Sequence, residues 1–352
     1  MGDLIMSGPA IRALKETFSA RITVLTSSMA AGIAKNMPEI DDIIVFDLPW
    51  VKTQEIADTS AINQIVEELK LRKFDAAVIF TVYSQNPLPT AILAYLAGIP
   101  KRLAYCRENP YQLLTDWVPD KEPYSFIKHQ VKRDLDLVAT INATTTNRHL
   151  LLNKNESLWS SVEEKLTRIG VDINKPWLIL HAGVSETKRE YPINKWIEAS
   201  KRLIEEFDYQ LIFTGSAKEK PLTDHLQNSI PSGSFSAGGL FSLDEFILLI
   251  NKSPLIISVN TGTTHIAAAV GTPVIVLYAL TNPQHTPWGS PCKVLPFKVQ
   301  DTLQSKNEVI RFINNSLFIK PVEMPSAIDI LEACRELLKM ESSEYKEADL
   351  EI

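Results

Sequence analysis

Short apolar runs alternate with helical patterns twice along this chain, and that alternation constrains its fold more than any single motif. RITVLT, DDIIVFDL (41–48), DAAVIFT (75–81) and KRLAY (101–105) are rich in β-branched residues and read as strands. Between them SSMAAGIAKN (27–36), TSAINQIVEELKLRK (59–73) and PTAILAYLAG (89–98) carry apolar residues at helical spacing. Strands separated by helix-length segments pair in parallel, and a parallel sheet must be covered on both faces. After an irregular stretch at 107–127 and a helix at 129–141, residues 142–156 are polar, with Asn and Thr clustered. The pattern then restarts. SLWSSVEEKLTRIG (157–170), INKWIEASKRLIEEF (193–207), SLDEFILLINKS (242–253) and TTHIAAAVG are helical, with PWLILHAG (176–183), YQLIFTG (209–215), PLIISVN and TPVIVLYA as strands between and after them.

The expected organisation is therefore α/β with two Rossmann-like domains, 1–156 and 157–325. A late helix follows at 326–340, and the acidic tail 341–352 is expected to be disordered. A chain of 352 residues is long enough for two such domains. A net charge of −6 excludes a large nucleic-acid footprint, which needs a basic field. Three widely spaced cysteines support neither a disulfide framework nor a CxxC metal site, so a reducing cytoplasmic setting is expected. No apolar run reaches the ~18 residues of a membrane span.

Ligands in doubly wound sheets bind beyond the carboxyl ends of the strands, which makes the strand exits the places to search. In SVNTGTTHIAAAVG a buried strand must turn and start a helix. Asn260 or Thr261 suits the cap, and Gly262 permits close backbone approach. The helix start presents N–H groups and a positive dipole end to an anion such as phosphate. Thr261, Thr263 and Thr264 add hydroxyls, and His265 follows. A plain capped helix with His265 packed beside it fits the same residues. In LHAGVSETKREYP, Gly183 and Ser185 form a loop and Lys188 and Arg189 bring charge suited to a diphosphate. A solvated basic pair is the alternative. In TGSAKEK, Gly215 and Ser216 turn the chain and Glu219 is placed either for ribose hydroxyls or as a helix-start carboxylate. Asp3, next to Gly2 before a helix, is a cap or a general base.

Asp134 and Asp136 match a DxD metal pattern, but they lie within a helical run where such neighbours point apart, so they are expected to be surface charge. The six histidines have no metal-ligand spacing, and His285 is expected in a loop among prolines. No GxSxG, HExxH or Walker pattern occurs.

Taken together, GDLIMSGPAIRALKETF, ITVLTSSMAAGIAKNMPEIDDIIVFD, LILHAGVSETKREYP, LIFTGSAKE and SVNTGTTHIAAAVGTPVIVLYALTNP resemble glycosyltransferase family 9, the heptosyltransferases of the lipopolysaccharide inner core. The resemblance covers nearly the whole chain, and the last stretch is its most specific part. It implies a GT-B fold, two Rossmann-like domains facing a cleft, with an acceptor domain first, a donor domain second and the last helix crossing back. It implies metal-independent, inverting transfer of a sugar, heptose from ADP-heptose, to a lipid-linked glycan acceptor at the cytoplasmic face of the inner membrane. No cofactor is implied beyond the nucleotide-sugar co-substrate. Asp3 becomes the general base, Lys188 or Arg189 the diphosphate stabiliser, Glu219 the ribose ligand, and Thr261 to Thr264 with His265 the phosphate-side group. Lys128, Lys132, Arg133 and the 107–127 loop are candidates for meeting an anionic acceptor.

Three departures from the family pattern follow. Asn260-Thr261 replaces the commoner Asp-Ser or Asp-Thr, which weakens the inference to a particular donor, and Tyr191 replaces Trp. Members also carry a strand before Gly-Asp. With none ahead of Gly2 here, the first sheet is expected to be weak at its centre, Asp3 to fray, and turnover to suffer. The rival readings are a degenerate, non-catalytic nucleotide-sugar binding protein and a GT-B nucleotide-sugar epimerase.

Overall fold

The computed structural model describes residues 1–51, 59–317 and 322–339. Its contacts divide the chain into two units. Among the described residues, one holds Ser7–Asn147, and the other holds Gly2–Met6 together with the residues from Arg148 to Lys339. The division thus falls earlier than residue 156, and the first helix sides with the second unit. The tail 341–352 lies outside the described residues.

The chain begins with α1 (Gly2–Met6). The first unit then runs α2 (Gly8–Phe18), β1 (Thr23–Thr26), α3 (Ser28–Ala34), β2 (Asp42–Val45), α4 (Thr59–Arg72), β3 (Ala76–Ile79), α5 (Leu88–Leu96), β4 (Lys101–Cys106), β5 (Asp116–Pro119) and α6 (Gln130–Ala139). Its strands pair in parallel, β1 with β2 and β3 with β4 across helical crossovers, and β4 with β5 across the irregular stretch at 107–115. They form two sheets, β1-β2 and β3-β4-β5, in place of one. The four residues of β1 are all only partly buried, which fits a strand in a two-stranded sheet.

This unit corrects two expectations. Asp134 is not surface charge: it is buried on α6 and accepts hydrogen bonds from Ser7 Oγ (2.7 Å) and Gln130 Nε2 (2.8 Å). Asp136 pairs with Lys128. Arg133, an acceptor candidate, is fully buried, bonded to Asp120 (2.9 Å) and Glu122, with its guanidinium 4.3 Å from the centre of the Tyr105 ring. A buried charge of this kind is retained only with such partners, so Arg133 is a structural cation, and Lys128 too is engaged within the unit.

The second unit runs α7 (Trp159–Arg168), β6 (Trp177–His181), α8 (Ile193–Phe207), β7 (Gln210–Gly215), α9 (Lys220–Asn228), β8 (Ser234–Gly238), α10 (Leu243–Lys252), β9 (Ile256–Val259), α11 (Gly262–Val270), β10 (Val274–Ala279), β11 (Cys292–Phe297), α12 (Glu308–Ser316) and α13 (Ala327–Lys339). Six parallel strands order as β11-β10-β9-β6-β7-β8, the doubly wound order in which the strand direction of travel reverses between β6 and β9. Both strands flanking the reversal are buried along their whole length, as continuous apolar runs at a sheet centre should be. α8 buries Trp196, Ala199, Ser200 and Leu203, one helical face, and stops at Asp208 in the left-handed region (φ 53°).

The closing helix α13 sends Ala327, Ile330, Leu331, Ala333, Cys334 and Leu337 into the core of this same unit, packed on α8, β10 and β11. Its buried face completes the core of this unit. Tyr191 explains its own departure from Trp. Its hydroxyl donates to the Pro325 carbonyl (2.7 Å), tying the approach to α13, while its ring meets Trp196 edge-on.

Candidate active site

The reversal between β6 and β9 leaves a crevice at their carboxyl ends, and the expected site residues of the second unit come from the loops there. Asn260, directly after β9, is buried. Its side chain does not cap α11. Nδ2 donates to the Ala279 carbonyl (3.2 Å) and to Thr281 Oγ1 (3.2 Å), while Oδ1 accepts from the Ala279 N–H (3.1 Å). This bridge to the end of β10 needs one donor and one acceptor on the same side chain. An amide offers both, whereas the aspartate of the commoner pattern offers only acceptors.

Thr261 occupies the cap position with an extended backbone but makes no side-chain cap bond. Thr264 turns its hydroxyl back to the Thr261 carbonyl (2.9 Å). The start of α11 therefore carries no side-chain acceptor on its first amides, the arrangement that suits an incoming anion. Thr263, Thr264 and His265 are buried beneath it, with Gly262 partly exposed.

Lys188 and Arg189 lie in a short 3-10 turn, Thr187–Arg189, beyond β6. They part company there. Arg189 donates to the Asn260 carbonyl (3.0 Å) and so reaches the start of α11, with Glu186 3.4 Å away. Lys188 pairs with Glu186, at 3.3 Å. Ser185 is exposed on the same loop.

Glu219 closes a capping box: its Oε2 accepts from the Ser216 N–H (2.6 Å). The carboxylate lies tight against the backbone of two strand exits. A Cβ on Gly183 would sit 2.2 Å from Glu219 Oε1, and one on Gly215 2.9 Å from Glu219 Cβ. Both glycines are explained by this close approach. His181 hydrogen-bonds Thr214 (3.1 Å), and burial pushes its imidazole below the ordinary histidine range, against the opposing pull of Glu219.

The remaining site residue comes from the far end of the sequence. α1 packs on α11, and Ile5 and Met6 are fully buried, so Asp3 rides on an anchored helix and not on a fraying end. Gly2 makes the approach possible, since a Cβ there would lie 2.7 Å from the His265 ring. Asp3 remains 68% exposed, and its Oδ1 is 3.7 Å from His285 Nε2. His285 stands edge-on to His265, with ring centres 6.3 Å apart. Burial lowers its imidazole below the ordinary value. Asp3 opposes that shift and Arg189 adds to it. The sequence places His285 only in a loop and gives Thr281 and Asn282, which lie within the stretch that resembles the family, no role of their own; the proline-flanked NPQHTP segment is the available signal. Among the described residues no cluster of three His, Cys, Asp or Glu side chains is arranged to hold a metal ion.

Residues 62–310 match the model of glycosyltransferase family 9 (heptosyltransferase). The chain belongs to glycosyltransferase family 9. This glycosyltransferase is 25% identical over 301 residues to lipopolysaccharide heptosyltransferase 2 of Escherichia coli K12, with 82% of each chain covered. It is 31% identical over 305 residues to lipopolysaccharide heptosyltransferase 1 of Campylobacter coli, covering 80% of this chain and 82% of that one. Among solved structures it matches a family 9 glycosyl transferase of Veillonella parvula with a TM-score of 0.75 at 18% identity, covering 96% and 94% of the two chains. It matches the ADP-heptose lipopolysaccharide heptosyltransferase II of E. coli with a TM-score of 0.70 at 21% identity, covering 96% and 95%. These likenesses show the GT-B fold, and the family makes the chain a glycosyltransferase.

Proposed function

We propose that this glycosyltransferase moves heptose from ADP-heptose to a lipopolysaccharide-type, lipid-linked acceptor, with inversion at the sugar and without a metal. The observation that carries the reading is the meeting, in one unit, of the uncapped start of α11 with Arg189 on one side and the Asp3 carboxylate on the other. The names of the relatives support heptose and lipopolysaccharide. Two E. coli heptosyltransferase structures of the same fold, one with ADP and one with ADP-2-deoxy-2-fluoro heptose, support the adenine nucleotide. Neither rival reading, binding protein or epimerase, gains a specific observation.

The chemistry follows from charge. As the acceptor oxygen approaches the anomeric carbon, the bond to the diphosphate lengthens and negative charge grows on the leaving group. The amides of Gly262 and Thr263 and the Arg189 guanidinium lie together at the helix start, where they can meet that charge as it develops. Lys188, held by Glu186 in the same loop, adds a longer-range positive charge. Asp3 takes the acceptor proton, and because it is exposed it is within reach of an incoming hydroxyl. Glu219 keeps one oxygen on the Ser216 amide and offers the other to the ribose. Gly183, Ser185 and Gly215 shape the floor of this pocket, and His265 packs between Gly2 and the helix start. The same reading includes cytoplasmic work with a peripheral contact at the inner membrane, where a lipid-linked acceptor resides; vesicle flotation with acceptor lipid checks that part.

The test is a thermal-shift panel of ADP, UDP and GDP with their sugars, followed by a transfer assay using the stabilising donor. Selective stabilisation by the ADP series with sugar transfer supports the proposal. Selective stabilisation by a uridine or guanosine series overturns the donor, and binding without transfer to any glycan acceptor overturns the reaction.

A further inference from the structure

His285 stands beside the Asp3 carboxylate, in the loop that follows β10. Its Nε2 faces Asp3 Oδ1 at 3.7 Å and Asn282 Nδ2 at 3.2 Å. The orientation of the Asn282 amide is fixed by its other end, since Oδ1 accepts the Gln284 N–H (2.9 Å). Nδ2 therefore points at the ring, and a ring nitrogen that receives an N–H is unprotonated. The Asn282 turn is itself pinned, its carbonyl accepting from the Tyr278 hydroxyl at the end of β10. The charged and titratable groups facing the ring are Asp3 from α1, Arg189 from the loop after β6, and His265 from the start of α11. Arg189 and burial favour the neutral ring before reaction, while Asp3 favours its charged form.

We propose that His285 is a positioning residue that receives the proton from Asp3 during transfer. This rests on Asp3 being the general base. In the step, the acceptor O–H bond breaks and its electron pair forms the bond to the anomeric carbon. The bond from that carbon to the diphosphate breaks, and its pair leaves on the nucleoside diphosphate. The proton passes to an Asp3 oxygen and then to His285 Nε2. Asp3 returns to a carboxylate beside an imidazolium, which later gives its proton to water. The transfer exchanges a neutral N–H···N bond from Asn282 for a charge-assisted N–H···O bond to Asp3, the stronger kind. Hydrogen bonds of this sort are commonly longer before substrate binds and tighten in the reacting complex.

The experiment compares wild type, His285→Gln, Asn282→Asp and Asp3→Asn by kcat, by the pH profile of kcat/KM, and by titration with whichever of ADP, UDP and GDP stabilises the protein most. Wild type should lose kcat/KM as the pH falls below the ordinary histidine range, where the ring is already charged. His285→Gln should bind the nucleotide as wild type does, lose about 10²-fold in kcat, and lose the acid limb that charging of the ring produces. Asn282→Asp places a carboxylate beside the ring, favours its charged form, and should move the acid limb to higher pH. If His285→Gln keeps both the wild-type kcat and the wild-type acid limb, or if Asn282→Asp leaves the limb in place, His285 does not receive the proton. Asp3→Asn separates the two levels: loss of turnover there alongside a normal His285→Gln variant rejects the relay alone, whereas full turnover in Asp3→Asn rejects the base and the relay with it.

Discussion

Asp3 Oδ1 lies 3.7 Å from His285 Nε2, joining the second helical residue of the chain to a loop that follows the fifth strand of the second unit's sheet. The contact exists because Gly2 lets α1 settle against the His265 ring at the start of α11. Replacing Asp3 by Asn keeps the shape and the helix but removes the proton acceptor. Turnover should fall by about 10²–10⁴-fold, with nucleotide affinity unchanged in a calorimetric titration. A variant with unimpaired turnover would end the base assignment.

The Gly2 contact makes a second, separable test. Gly2→Ala places a methyl 2.7 Å from His265 Cδ2, too close for either group to stay in place. Asp3 should shift from His285, lowering kcat with little effect on nucleotide binding. Steady-state kinetics beside a nucleotide titration would show it, and an unchanged kcat would contradict the packing of α1 on α11.

Arg189 and Lys188 are neighbours in sequence with different surroundings, since only Arg189 is bonded to the start of α11. Arg189→Met should weaken nucleoside diphosphate binding and kcat together, while Lys188→Met should have the smaller effect on both. Equal losses, or a larger loss at Lys188, would reverse the assignment of the diphosphate contact.

Asn260 bridges β9 to β10 through one donor and one acceptor shared with Ala279. Asn260→Asp sets a carboxylate oxygen against a buried carbonyl and should cost about 1–3 kcal/mol. Urea denaturation would register this as a lower midpoint with the same slope, and an unmoved midpoint would show the bridge to be unimportant.

Glu245 supplies a pH signature for the same unit. Burial alone would raise its carboxyl, but bonds from Lys165 (2.7 and 2.8 Å), the Ser242 N–H and Ser161 hold it at about 2. The unfolded chain takes up this proton first, so the stabilisation is full above the ordinary glutamate range and is lost as pH falls towards about 2. Glu245→Gln should lower stability at neutral pH, and the difference from wild type should shrink on acidification across that window. A difference independent of pH would contradict the ion pair as its source.

What could be read from the sequence was what repeats locally. The run PLIISV and the helix IAAAV each announce themselves by hydrophobic period, and the polar junction between them marks a strand exit. Ser242 and Glu245 at capping-box spacing form that box. Long-range pairings were not legible. Nothing local says that Asn260 would turn to Ala279 and leave α11 uncapped, that Gly183 exists to admit the Glu219 carboxylate, or that Asp134 would be buried by a bond to Ser7. The Asp3–His285 pairing is the extreme case, since its two halves lie far apart in the chain and meet through the packing of α1 on α11.

The central claim, that the start of α11 and Arg189 hold the diphosphate of a sugar nucleotide in front of Asp3, is tested most directly by a crystal structure of the protein with a bound ADP-sugar. The expected result places diphosphate oxygens on the amides of Gly262 and Thr263 and on the Arg189 guanidinium, with the anomeric carbon turned towards the Asp3 carboxylate. A nucleotide bound away from α11, or a diphosphate there with its sugar directed away from Asp3, would contradict it.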